Sequence, residues 1–171
     1  MAVDDARRTV GDALSELGLP WSQSRPGVFT VTLPGTRKLT TECAIEVGRH
    51  GVGFRAFVVR HPEQDHVVVY RWLLERNLKL DGIAFSVDNL GDVYLIGRLS
   101  LAAVTAAEVD RLLGSVADAA DSAFNPVLEM GFADSIRAEW AWRRSRGEST
   151  ANLEAFRSLD PGSGSDVPPA P

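Results

Sequence analysis

The sequence predicts an α+β domain in which an antiparallel sheet packs against helices. Three observations predict this class: apolar residues at helical spacing near the N-terminus, alternating runs joined by short turns, and a long helical pattern after the last alternating run. The predicted order is one helix, three strands, one helix, two strands and then further helices. Strands that are joined by short turns pair antiparallel, and helices must cover their apolar face.

The composition is that of one globular domain. The chain has 171 residues, of which 44% are apolar and 24% are charged. No apolar run approaches the roughly 20 residues of a membrane span, the first residues lack the apolar core of a signal peptide, and the lone Cys43 suits a reducing compartment. A formal net charge of −5 argues against a nucleic-acid partner. We therefore expect a cytoplasmic protein with neither a nucleic-acid nor a membrane partner.

The first part of the chain is predicted to form a helix and three strands. Apolar residues at helical spacing over 3–17 end at Gly18, a residue type that commonly terminates helices. Alternation of apolar and polar residues predicts strands over 29–33, 39–47 and 52–60. Leu39 is expected on the apolar face of the second strand.

A helix over residues 67–79 follows, with Asp65 as its expected N-cap. Its main apolar stripe comprises Val67, Tyr70, Leu73, Leu74 and Leu78. Val69 and Trp72 lie off that stripe, so the helix has apolar residues on two sides and needs two neighbours. The second neighbour is either the rest of the fold or another chain.

The second part is predicted to contain a hairpin followed by helices. Alternation gives strands over 83–87 and 93–97, joined by a turn over 88–91. Thr105 and Glu108 form the pattern of a capping box at the start of a long helix. Pro126 should kink or end that helix near Ser122, because proline lacks an N–H and clashes with the preceding turn. A last helix is expected from Asp134 to Arg146.

The sequence matches to catalytic and cofactor-binding motifs lie in surroundings that do not suit those functions. Residues 51–56 match the dinucleotide pattern G-x-G-x-x-A, but a strand follows where the fingerprint needs a helix, so a hairpin turn is the better interpretation. His50, His61 and His66 lack the spacing of zinc ligands. Cys43 falls on the apolar face of its strand, as a buried residue would. We expect no cofactor, no metal and no enzymatic activity.

The C-terminal helix carries the most distinctive side chains. Trp140 and Trp142 are two positions apart and therefore point in directions about 200° apart on a helix. Trp140 can pack on Ile136, which leaves Trp142 beside arginines, a pairing that is enriched at interaction surfaces. The alternative is that Trp142 lies flat on the domain surface under an arginine. The candidate protein-binding residues are Val69, Trp72, Arg76, Arg137, Trp142, Arg143 and Arg146.

Residues 70–132, which begin YRWLLERNLKLDGIAFSVDNLG, resemble the YbjN family of bacterial sensory transduction regulators. The EWAWR segment at 139–143 is similar to actinobacterial members, and the resemblance covers about residues 4–156. The order of elements also resembles that of type III secretion chaperones. These resemblances imply a non-enzymatic protein that binds extended segments of partner proteins, commonly as a homodimer. They imply no catalytic residue.

We expect a YbjN or secretion chaperone-like domain over 1–134, a C-terminal helical extension over 135–159 and a tail over 160–171. The tail is rich in Pro, Gly and Ser and is predicted to be disordered. The favoured function is a chaperone-like or regulatory adaptor that holds a protein partner of unknown identity, including a second copy of itself. The alternative is a small-ligand sensor or an enzyme with a pocket between sheet and helices. A cleft lined by ionisable groups would favour the alternative, and an exposed apolar patch would favour the adaptor.

Overall fold

The computed structural model describes residues 2–162. Its helices and strands, in chain order, are α1 (Val3–Glu16), β1 (Trp21–Arg25), β2 (Val28–Pro34), β3 (Thr40–Gly48), β4 (Gly51–Val59), α2 (His66–Asn77), β5 (Ile83–Val87), β6 (Val93–Leu99), α3 (Ala106–Gly131) and α4 (Ala133–Arg146). Short 3-10 helices cover Leu101–Ala103 and Ala151–Leu159. The α+β class and the predicted order are confirmed, and β1 is an additional strand.

A single six-stranded sheet has the order β1-β2-β3-β4-β6-β5. All of its neighbouring strands pair antiparallel. Apolar side chains alternate onto one face, which we call the inner face and which packs against α1 and α3. The opposite, outer face of the central strands is exposed or half-buried. Alternation of residue type therefore decides which face the helices cover.

Helix α3 is the element on which the core assembles. It contacts α1, α2, α4 and every strand except β1. Thr105 caps it as predicted, since the Glu108 N–H donates to Thr105 Oγ1 at 3.1 Å. Of the two predicted effects of Pro126, a kink or an end near Ser122, the end is wrong, because α3 continues to Gly131. Ala123 and Val127 on both sides of the proline are fully buried, and this packing outweighs the lost main-chain bond, which costs about 3 kcal/mol.

The orientation of α2 differs from the prediction. Val69 and Leu73 are buried, whereas Val67, Leu74 and Leu78 are exposed. The helix packs against both α3 and β5, so the rest of the fold supplies two neighbours for its inner side. Apolar residues surround most of α2, and the fold rather than the sequence pattern selects the side that is buried.

Two further expectations are corrected. Asp65 precedes α2 but its side chain caps no N–H, because its left-handed backbone (φ 51°) departs from N-cap geometry and Gln64 Nε2 donates to its carboxylate at 3.3 Å. Leu39 lies just before β3 and is exposed rather than on the apolar face, because the chain is still in the preceding loop.

The C-terminal part packs on α3. Trp140 and Ile136 are buried as expected, and Trp140 Nε1 donates to the main-chain oxygen of Phe156 at 3.3 Å. Helix α4 and the segment Ala151–Leu159 pack together and against α3. Of the predicted tail, residues 163–171 lie outside the described residues. The division of the chain at 134 and 159 stays a prediction.

A hydrogen-bond cluster around the half-buried Asp121 joins the loop between β2 and β3 to α3. Asp121 accepts the main-chain N–H groups of Thr36, Arg37 and Lys38 at 2.7, 2.7 and 2.9 Å. A side chain at Gly35 would clash with Lys38 O and with the Asp121 carboxylate, so only glycine permits this approach. Burial raises the pKa of Asp121, but the hydrogen bonds from Lys38, Thr36 and Arg37 outweigh it and lower the pKa to about 2.

We expect Asp121→Asn to weaken the acid dependence of stability. The folded-state pKa of about 2 lies below the ordinary value of 3.8, so the stabilisation is complete above about pH 4 and is lost as pH falls towards 2. At neutral pH the substitution should lower the free energy of unfolding by about 1.5–3 kcal/mol. Denaturant unfolding over a pH series measures both effects. Asp118→Asn, an exposed carboxylate on the same helix, is the control, and equal losses in the two variants would contradict the assignment.

Candidate functional site

A row of exposed side chains, apolar except for Arg71, runs along the solvent side of α2. Its members are Val67, Arg71, Leu74 and Leu78, which we call the α2 stripe. Spacings of three and four residues place them within about 60° on the helix surface. Val67 is 80% exposed, Leu74 64% and Leu78 88%. Large apolar side chains this exposed in one row are typical of a surface that meets another chain.

The charged groups on this side of the helix carry both signs. The Arg71 Nε donates to Glu75 Oε1 at 2.9 Å. The turn that contains Leu90, also exposed, lies beside the N-terminal half of α2, because Tyr70 Oη donates to Gly91 O at 3.4 Å. The stripe and this turn therefore form neighbouring apolar surface.

Three sequence-predicted site residues lie on the opposite side of α2. Val69 is completely buried, which corrects the expectation that it faces a partner. It lies beside Gly131 of α3, where an added β-carbon would come within 2.9 Å of Pro62 and 3.4 Å of Val69. Trp72 is half-buried, with the Arg76 guanidinium 4.5 Å from its ring centroid. Arg76 also donates to Ser122 Oγ of α3 at 3.1 Å.

The four predicted residues on α4 are not all brought together. Trp142 is 45% exposed, and the Arg146 guanidinium lies 5.0 Å from its ring centroid, as the surface-stacking alternative expects. Arg143 donates to Glu139 at 2.6 Å. Arg137, five positions before Trp142, points about 140° away and pairs with Asp134 at 2.7 Å. Trp142 and Arg146 therefore form one small surface, and Arg137 lies apart from it.

The two edges of the sheet differ in how their main-chain groups are satisfied. At β5, Asn77 Oδ1 accepts the Phe85 N–H at 2.7 Å and Asn77 Nδ2 donates to Phe85 O at 3.3 Å. One amide side chain thus occupies the positions that an added strand would use. Asn77 sits at the end of α2, so the packing of this helix closes the β5 edge.

The β1 edge is open. The Thr32 N–H donates to Pro20 O at 2.9 Å, which identifies a hydrogen-bonded pair at the start of this ladder. Because such pairs alternate in antiparallel strands, Trp21 and Gln23 direct their main-chain groups away from β2. All five residues of β1 are exposed. Of the two edges, β1 can accept a strand.

A groove of about 880 Å³ lies on the outer face of the sheet. The space between the inner face and the helices, in contrast, is filled by apolar side chains, and Thr41 is the one buried polar residue within residues 2–162. This groove was not predicted from the sequence. Gly53, in the interior of β4, was its available signal, because glycine inside a strand often marks a close approach.

Reactive side chains are not gathered at these surfaces. Cys43 is buried as predicted, and burial raises the pKa of its thiol to about 12. Within residues 2–162, no group of three or more His, Cys, Asp or Glu side chains is placed to hold a metal ion. In the same residues, no helix is long and apolar enough to cross a membrane.

The comparison with protein families identifies one match. The model of YbjN, described as "Putative bacterial sensory transduction regulator", matches residues 7–129. An uncharacterized protein of Mycobacterium tuberculosis is 49% identical over 160 residues, which cover 91% of this chain and 87% of the relative. An uncharacterized protein of Mycobacterium leprae is 51% identical over 131 residues, which cover 77% of this chain and 71% of the relative.

Solved structures share the fold at low sequence identity. A chain of the ExoU–SpcU heterodimer from the type III secretion system of Pseudomonas aeruginosa aligns with a TM-score of 0.52 and 19% identity, over 69% of this chain and 96% of its own. YbjN of E. coli, described as "a putative transcription regulator", aligns with a TM-score of 0.52 and 15% identity, over 71% of this chain and 88% of its own. The expected similarity to secretion chaperones is therefore confirmed for the fold.

We expect Asn77→Ala to open the β5 edge. The loss of both contacts with Phe85 should lower the free energy of unfolding by about 1–3 kcal/mol and speed exchange of the Phe85 amide proton. Denaturant unfolding and hydrogen exchange followed by NMR measure the two effects.

Glu75→Ala is the matched control for Asn77→Ala. It removes an exposed ion pair from the same helix and should cost about 0.3–0.5 kcal/mol. If Phe85 exchanges at the same rate in both variants, Asn77 does not close the edge.

Proposed function

The chain belongs to the YbjN family, and on that premise we propose that it is a non-enzymatic cytoplasmic protein-binding module, a chaperone-like or regulatory adaptor that pairs with a second copy of itself through the α2 stripe. The exposure of Val67, Leu74 and Leu78 carries this proposal. Burial of each such side chain contributes about 1.5–3 kcal/mol, which favours a covered state.

The stripe suits a second copy because it is complementary to itself. Apolar residues occupy both of its ends, and Arg71 and Glu75 place opposite charges near its middle. When two such helices cross antiparallel about a two-fold axis, Val67 of one meets Leu78 of the other. The same axis brings each Arg71 near the Glu75 of its counterpart, as isologous contacts require.

The fold comparisons also support a protein-binding function. The P. aeruginosa structure is a heterodimeric complex, and a Yersinia pestis secretion chaperone, SycH, was solved with a fragment of YscM2. The enzyme or sensor alternative needs ionisable groups between sheet and helices, where the buried residues are apolar except for Thr41. Trp72, Arg76, Arg137, Trp142, Arg143 and Arg146 stay proposed contacts for a protein partner.

Leu74→Glu tests the pairing. Sedimentation and light scattering across micromolar concentrations should give the wild type a mass near twice the 18.5 kDa chain, and the variant a mass near one chain. A buried glutamate at the interface costs more than the leucine contact gains, so the dimer is lost. Circular dichroism should stay unchanged, because Leu74 is exposed in the single chain. The temperature of unfolding should fall only by the stabilisation that pairing gives the wild type.

Leu39→Glu is the matched control for this experiment. It makes the same substitution at another exposed leucine, in the loop before β3, and should leave the dimer intact. A wild-type protein that stays monomeric, or equal behaviour of the two variants, would overturn the proposal.

A further inference from the structure

The outer groove has a floor of small and apolar residues. Ala44 lies on β3, Gly53 on β4 and Ile96 on β6, and the register places Arg55 beside both Ala44 and Ile96. We call this surface the outer groove. An ideal β-carbon at Gly53 meets no atom within 4 Å, so the space above the middle of the groove is open.

One end of the groove has its charges paired. The Arg55 guanidinium lies 4.0 Å from the Tyr94 ring centroid and 3.9 Å from the Asp88 carboxylate. The other carboxylate that lines the groove, Glu46, lies towards the opposite end, where Gly53 separates it from Arg98 in the strand register, and it pairs with Arg25 at 3.5 Å. Both carboxylates of the groove therefore already have a cationic neighbour.

The opposite end has an excess of positive charge. Arg49, in the β3–β4 turn, and Arg98, on β6, both line the groove and are exposed. Within residues 2–162 neither guanidinium group has a hydrogen bond or a carboxylate partner. The chain as a whole carries a net charge of −5, so this end is a local reversal of the prevailing charge. Such a reversal attracts an anionic partner.

We propose that the outer groove binds an extended acidic segment of a partner polypeptide. An apolar side chain of that segment packs on Ile96 above Gly53, and its carboxylates meet the guanidinium groups of Arg49 and Arg98. Arg–carboxylate pairs are directional and strong for surface contacts, and Arg and Tyr are enriched in binding interfaces.

The apolar floor of the groove favours a polypeptide over a small anion as the ligand. A small anion would contact two exposed arginines, whose attraction is largely screened at physiological salt. A segment that also covers the floor adds apolar burial, which salt does not screen. The inference extends the proposed protein-binding function, because it assigns a partner chemistry to a surface other than the α2 stripe.

Selection from a library of short random peptides on the full chain tests the proposal. The selected peptides should be enriched in Asp and Glu beside a large apolar residue, and added salt should weaken their binding. A synthetic fluorescein-labelled copy of a selected peptide then gives affinities by anisotropy. A charge-reversed copy with Lys in place of the acids should not bind.

Substitutions in the groove locate the binding. Gly53→Phe fills the groove, and Arg98→Glu reverses its charge. Each should lower the affinity for the labelled peptide by about tenfold or more. Arg8→Glu, the same charge change on α1, should leave the affinity within about twofold. Gly53→Val, which suits a strand, replaces Gly53→Phe should the larger side chain impair folding.

Four results would overturn the proposal. These are selected peptides without acidic enrichment, binding that is insensitive to Gly53 substitution, a control variant that loses binding equally, and complete displacement of the peptide by inorganic phosphate. Leu74→Glu separates this proposal from the pairing through α2, because it should dissociate the dimer and still bind the labelled peptide. Either proposal can therefore fail while the other stands.

Discussion

Helix α3 packs against the inner face of the sheet, and this contact is the constraint on which the rest of the structure depends. It joins five of the six strands and three helices to one core. Because the helices cover one face alone, the outer face and the edges of the sheet must be satisfied separately. Asn77 does this at β5. The outer face stays open, and there the chain displays charged and small residues in place of a second core.

Local pattern was sufficient for most of the fold, because alternation and turn residues report directly on a sheet with one buried face. Local pattern did not predict the elements whose residues do not alternate between a buried and an exposed face. Strand β1 has exposed residues throughout, so no alternation marks it. Helix α2 is apolar on two sides, and its orientation is set by its contacts with α3 and β5, which lie far apart in sequence. Pro126 is tolerated because packing on either side exceeds the cost of one missing bond.

The candidate surfaces were harder to predict than the fold. The apolar pattern of α2 predicts a second apolar side but does not identify it: Val69 was the expected contact and is buried, whereas Leu74 and Leu78 are exposed. The spacing of apolar residues alone cannot show which side of α2 is buried, because both sides of the helix are apolar. The outer groove combines residues of β3, β4 and β6, and strand pairing alone brings Ala44 and Ile96 to either side of Arg55. That adjacency depends on register, which a single sequence leaves open.

The positions of the two proposed surfaces determine what an assembled pair could do. The α2 stripe belongs to a helix that packs on β5 and α3, whereas the floor of the groove lies on β3, β4 and β6. Contact through α2 therefore leaves one groove open on each copy. A partner with two acidic segments that spans both grooves gains from effective concentration, so weak single contacts suffice for stable binding. Pairing would then serve partner binding without any change in the groove itself.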